Sequence, residues 1–469
     1  MLVERERSRQ VVNCVFQDGH SNCSTCMELG IACTRIQPRK KRGPKNRYVQ
    51  ALRSQLDRSG DEVSLFATLG DDHNEPHTLE RIATRPVLDQ IIRDWFDWIH
   101  PLAPLLHPRQ FMARMAQSYE KEQCESQLII LVASLCAATV ASLRRRRRLY
   151  GEVTVERCLD LAEGLGLWGR ATTIDLEWTT AMYNFSSATY TEQGMDSPLS
   201  LRLAAEALVG LRYQLYQRFD QLSFMDQQLL KRAYWLVFAS QCTSDIHGWP
   251  MIHLHAPHEP IQSLFPLEIS DDELLHGYPT SPGPHNPALV YSRSYVPGLN
   301  ALSRLFLVWS SSQAVPHKTI AHLQEHIDRA EQVLGSLPPE LTWKGFPTSP
   351  DCGSVESSAD FGTDTQTVNL KVTELHIRSN LLEQMNTLAR SESVLATPSV
   401  IIEERHKVAD DLLDVLYNMP KEIFDANGYT IIPKIRDIGS ALLDERQSGT
   451  APAQIEGFRC ESTLPNINE

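Results

Sequence analysis

Between residues 86 and 343 the apolar side chains recur at intervals of three and four, and no stretch alternates apolar with polar as a half-buried strand does. That periodicity limits what the chain can build to packed helices, and the sequence predicts a mainly α fold. One stripe is Val155, Cys158, Leu159, Ala162 and Leu165, spaced to lie along one face of a helix. Residues 229–238, LLKRAYWLVF, are dense enough in large apolar groups to form a central buried element.

The chain has 469 residues, 42% of them hydrophobic and 22% charged, which is enough for two or three soluble domains. Breaks in the pattern suggest a helical body over 86–344, a flexible linker over 345–367 that is poor in aliphatics, C-terminal helices over 368–446 and a disordered tail over 447–469. In the C-terminal part, helices are expected over 368–390 and 400–418, with Val372, Leu375, Leu382 and Met385 on the inner stripe. Residues 277–298 contain five prolines and read as a loop. The most apolar run, residues 128–143 (LIILVASLCAATVASL), is too short for a membrane span and is followed by five arginines at 144–148. The plain reading is a buried helix ending in a solvated arginine run; an import signal or an anion site are the sharper ones.

Charge is unevenly divided. The chain carries a net −13, yet residues 35–58 hold nine Lys or Arg against one acid, Asp57. A small basic segment on an acidic body suits one anionic partner held near the N-terminus. Ten cysteines over this length are too sparse for a disulfide scaffold, and MLVERER has charges where a signal peptide needs an apolar run, so a reducing compartment is expected.

Four of those cysteines, Cys14, Cys23, Cys26 and Cys33, are spaced Cys-x8-Cys-x2-Cys-x6-Cys just before the basic run. A Cys-x2-Cys pair can present two thiolates to one tetrahedral Zn2+, and such a site can fold a segment with almost no core. By ligand count, one zinc on these four is open, as is an unmetallated segment. Val49, Leu52, Leu56 and Val63 then fall near heptad spacing, which fits either a homodimer through 48–64 or a plain amphipathic helix. The polar stretch 70–77 belongs to a linker over 65–85.

The cysteine block, with its Leu29-Gly30-Ile31-Ala32-Cys33 ending and the basic linker 37–47 after it, resembles the third to sixth cysteines of the fungal binuclear zinc cluster transcription factors. Residues 94–111 (DWFDWIHPLAPLLHPRQF), 158–167 (CLDLAEGLGL) and 231–238 (KRAYWLVF) are similar to landmarks of the same family's middle homology region. The resemblance implies a truncated zinc-cluster module over 1–36 and a large all-helical regulatory domain. It also implies Zn2+ on the four cysteines and double-stranded DNA contacted by Arg9, Arg39, Lys40, Lys41, Arg42, Lys45 and Arg47. A nuclear regulator of a metabolic or secondary-metabolite gene cluster, not an enzyme, is the expected function, with a small-molecule effector or coactivator as further partner and no membrane. The first two cysteines of the pattern would fall at positions 4 and 7, which are Glu4 and Arg7. Arginine cannot ligate zinc. A coding sequence that starts further upstream, or a helical regulator of the family that has lost autonomous DNA binding, would each account for that gap.

Other signals are weaker. Gly164-Leu165-Gly166-Leu167-Trp168-Gly169 matches Gly-x-Gly-x-x-Gly, but a helix is expected before it where a dinucleotide loop needs a strand, so a glycine helix cap is the better reading. His247, His253, His255 and His258 read as surface-loop histidines, with a metal site as the alternative. The acidic spots at 271–275 and 360–364 read as solvated loop, or as activation segments.

Overall fold

The computed structural model describes residues 78–121, 124–169, 173–194, 197–248, 261–276, 294–344, 361–391 and 399–447. The chain divides into two compact units, Met1–Glu75 and Pro76–Glu469. All described residues belong to the second, so the four cysteines, the basic run and the heptad segment 48–64 lie outside them.

Among the described residues every regular element is helical. The longer ones are α1 (Arg85–Asp94), α2 (Pro108–Tyr119), α3 (Ser126–Ser142), α4 (Val155–Gly164), α5 (Leu176–Gln193), α6 (Pro198–Tyr213) and α7 (Phe224–Ile246). They are followed by α8 (Val296–Gln313), α9 (Ile320–Gly335), α10 (Phe361–Ser391), α11 (Ser399–Asn418) and α12 (Lys421–Gln447).

Two helices organise the packing. Helix α3 is apolar on every side and buried from Leu128 to Ala141, as a helix without a polar face must be. It lies against α1, α4, α5 and α12. Helix α10 plays the same part in the second half, packing on α8, α9, α11 and α12. One continuous apolar core runs from Leu79 through Leu131, Phe185, Trp235, Phe306 and Leu375 to Leu442, so both halves share it. The stripe residues Val155, Cys158, Leu159 and Ala162 are buried, as are Val372, Leu375, Leu382 and Met385.

Local chemistry sets the helix ends. Thr154, Asp175 and Ser223 each accept a backbone N–H from three residues on, at the starts of α4, α5 and α7. Helix α4 stops at Gly166, whose φ of 93° is open to glycine but strained for other residues. Leu167 N–H reaches Ala162 O and Gly166 N–H reaches Glu163 O, both at 3.0 Å, which caps the last carbonyls. A helix therefore precedes the glycines, and the dinucleotide motif is formal only.

Five expectations change or gain detail. The arginine run stays largely exposed, as expected, but it forms a 3-10 turn, Arg144–Leu149, in which Arg144 to Arg147 reach neighbours. Arg146 makes two bonds to the buried Asp94, at 3.0 and 2.8 Å, and Tyr150 donates to the same carboxylate at 2.8 Å. Arg145 pairs with Asp425 at 2.8 Å, Arg147 with Glu192 at 2.9 Å, and Arg144 donates to Thr191 O. The run thus ties α3 to α1, α5 and α12.

The stretch read as linker to residue 367 is already helix from Phe361, because its polar residues have buried partners. Gln366 donates to Pro101 O at 2.9 Å and Tyr295 O at 2.7 Å. The proline-rich stretch read as loop to residue 298 likewise gives way to α8 at Val296, with Pro297 in the first turn where a missing N–H costs nothing. A third C-terminal helix, α12, follows the two expected. The acidic spot at 271–275 is no solvated loop either: it begins a short helix, Asp271–His276, docked on the core.

Candidate functional site

Helices α5 to α8, α10 and α12 surround a partly enclosed cavity of about 160 Å³. Its wall is mixed: Phe306 and Leu302 are apolar, while Tyr190, Ser240, Thr243 and Asn369 bring hydroxyl and amide groups. Such a wall suits a small molecule with a few polar groups. Lys434 also lines it, from α12, one residue after Pro433, which interrupts the helix's backbone bonds at this depth.

Lys434 is the unusual member. It is 4% exposed, and its ammonium hydrogen-bonds Thr373 Oγ1 at 2.6 Å and Asn369 Oδ1 at 3.2 Å, both neutral acceptors. An ammonium has three protons to place. Among the described residues no carboxylate pairs with it, and burial lowers its pKa to about 7. Near neutral pH the cavity therefore holds an amine poised between charged and neutral, a group that can anchor an anion or attack a carbonyl.

One turn beyond Thr243 of α7, Thr373 of α10 and Lys434 of α12 stand His247, His376 and Asp437, whose ligand-capable atoms lie within 4.8 Å of one another. His376 Nε2 donates to Asp437 Oδ2 at 2.7 Å, and Asn380 donates to the same oxygen at 2.9 Å. The imidazole rings of His247 and His376 are 5.1 Å apart, centroid to centroid. The surface-loop reading of His247 is thus corrected, since the ring packs onto a fully buried histidine. His253, His255 and His258 lie outside the described residues.

A third polar cluster joins two of the sequence landmarks. Arg232, within 231–238, is 1% exposed and pairs with Asp271 at 2.9 Å. His100, within 94–111, stands 3.6 Å from the same carboxylate, and His107 donates to Asp271 O at 2.7 Å. Burial pushes the Asp271 carboxyl up, but His100 and Arg232 outweigh it and hold the group well below the usual carboxylate range. Burial is the main reason His100 titrates lower than an ordinary histidine. These groups are structural: they fasten the loop after α1 to α7 and to the short helix.

The residues expected to contact zinc or DNA, namely Cys14, Cys23, Cys26, Cys33, Arg9, Arg39, Lys40, Lys41, Arg42, Lys45 and Arg47, all lie outside the described residues. Sequence reasoning missed Lys434, His376 and Asp437, because each sits within a helical pattern where a polar residue reads as surface. Only Pro433 inside the helical pattern hints at an irregularity there.

Fold and cavity together define a class, a mainly α body built around an internal space of small-molecule size. Within it, the chain is similar to a maltose fermentation regulatory protein of Saccharomyces cerevisiae, 22% identical over 258 residues, 51% of this chain. The match covers 50% of that relative's length. No family model matches, and no solved structure matches. No helix among the described residues is long and apolar enough to cross a membrane.

Proposed function

We propose that this chain is a fungal transcription regulator of RNA polymerase II genes, acting in the nucleus, in which an N-terminal zinc-held segment binds DNA and the helical body senses a small effector in the cavity beside Lys434. The observation that carries this reading is the similarity to a protein named as a regulator of maltose fermentation. The order of thiolates, basic run and helical body supports it. Cys14, Cys23, Cys26 and Cys33 would hold Zn2+ as thiolates, and residues 39–47 would neutralise phosphates.

Each Lys or Arg seated on a phosphate releases a counterion, so binding should weaken steeply with salt. Replacing Lys40, Lys41 and Arg42 by Ala is expected to flatten the slope of log affinity against log salt by about 2 to 3 and to weaken all sequences alike. An unchanged slope removes the role given to the basic run. Zinc per chain by plasma mass spectrometry, with gel shifts on CGG-containing duplexes, tests the remainder.

Glu4 and Arg7, in place of the first two cysteines of the pattern, favour a second reading. In it the protein is a helical, ligand-sensing regulator that does not bind DNA by itself. That reading predicts no zinc on the cysteines and no sequence preference.

A further inference from the structure

We propose that His247, His376 and Asp437 form a binding site for a divalent transition ion, zinc by preference, which staples the end of α7 to α10 and α12. Two imidazoles and a carboxylate from three separate helices are a recurrent ligand set for such ions, and they leave a fourth position for water or an effector atom. The donor atoms already lie within 4.8 Å of one another.

Two further observations point the same way. His376 is fully buried, and its Nδ1 has no hydrogen-bond partner; His247 Nε2 is likewise buried and unpartnered. Buried nitrogens without partners are uncommon and call for an explanation. Asn380 donates to Asp437 Oδ2 at 2.9 Å and is itself anchored on the backbone carbonyl of His376 at 3.0 Å, so its amide orients the carboxylate ligand, as outer groups at metal sites do.

Position gives the site a use. Thr243, Thr373 and Lys434 stand one turn before His247, His376 and Asp437 on the same helices, and Thr243 and Lys434 line the cavity. An ion here would brace three walls of that cavity at one end. A plain His–Asp hydrogen bond explains the 2.7 Å contact between His376 and Asp437 but gives His247 no part.

The test uses the full chain, stripped with chelator and titrated with Zn2+ and Co2+. Cobalt on imidazole and carboxylate gives visible ligand-field bands without the intense near-ultraviolet sulfur-to-metal band that a thiolate site produces. The expected result is one such site per chain, lost in His247→Ala, with a zinc-dependent rise in Tm that the variant lacks. Asn380→Ala should keep the site but weaken it by about 10- to 100-fold. His247 is only partly buried at a helix end, so its variant should fold like the wild type, which circular dichroism of the metal-free proteins checks. If wild type shows only thiolate-type cobalt spectra, or if zinc raises Tm equally in wild type and His247→Ala, the site does not exist.

Discussion

Lys434→Met removes a buried charge while keeping a side chain of similar length, and the structure predicts that the protein becomes more stable. The ammonium titrates near 10.5 when unfolded and near 7 when folded. The unfolded state therefore binds more protons throughout that interval, and stability must rise with pH across it. At pH 7 the burial penalty is about 4 kcal/mol, falling to about 2 kcal/mol at pH 9 and vanishing near pH 11, at about 1.4 kcal/mol per unit. Methionine forfeits two hydrogen bonds, to Thr373 and Asn369, worth about 1 kcal/mol each. Thr373 retains a 2.6 Å bond to Asn369 O, so its hydroxyl is not orphaned. The net gain at pH 7 should be about 2 kcal/mol, shrinking with pH and reversing sign near pH 9. The nearest titratable groups, His247 and His376, have pKa values below the ordinary histidine value and leave this window clear. The assay is urea unfolding of wild type and variant at pH 7, 8, 9 and 10. A variant less stable at pH 7, or one whose difference from wild type does not change with pH, would refute the account of Lys434 as a buried amine without a counter-charge.

Three other outcomes are expected. Arg232→Met should cost about 3 to 5 kcal/mol by stranding Asp271, and the double variant with Asp271→Asn should lose much less than the two single losses combined, read by urea unfolding. Stability should fall on acidification: first below about pH 6.5, where the unfolded state protonates before the buried His100, and then near pH 4, where unfolded Asp271 takes up protons that the native, depressed group refuses. Thermal scans from pH 7 to pH 3.5 check this, and an Asp271→Asn variant should shrink the lower step, to which Asp437 and Glu404, also held low, contribute. Gly298→Ala would place a Cβ 2.4 Å from the Gln366 side chain and break its bonds to Pro101 and Tyr295, lowering Tm, whereas Gly439→Ala, which meets nothing within 4 Å, should not.

Much of the helical framework was legible in the residues themselves. The stripes on α4 and α10, the wholly apolar α3 and the Gly166 cap follow from periodicity and backbone sterics, which act over a few neighbouring positions. The errors share a cause. Thr363, Thr365, Gln366 and Thr367 look like linker because they are polar, yet each is buried, and Gln366 finds carbonyls some 70 and 265 positions away. The arginines of 144–148 do stay largely exposed, but the partners of Arg145, Arg146 and Arg147, which are Asp425, Asp94 and Glu192, come from other helices and could not be read from their neighbours in the chain.

Residue spacing and composition were enough to establish that this chain is helical, where several helices begin and end, and that a basic, cysteine-bearing segment precedes an acidic body. Tertiary structure alone decided that both halves share one core, that Lys434 lies at a cavity wall without a counter-charge, and that His247, His376 and Asp437 meet. Helix formation answers to local spacing, whereas the surroundings of a buried polar group depend on which distant helix packs against it, and that is settled only when the chain closes on itself.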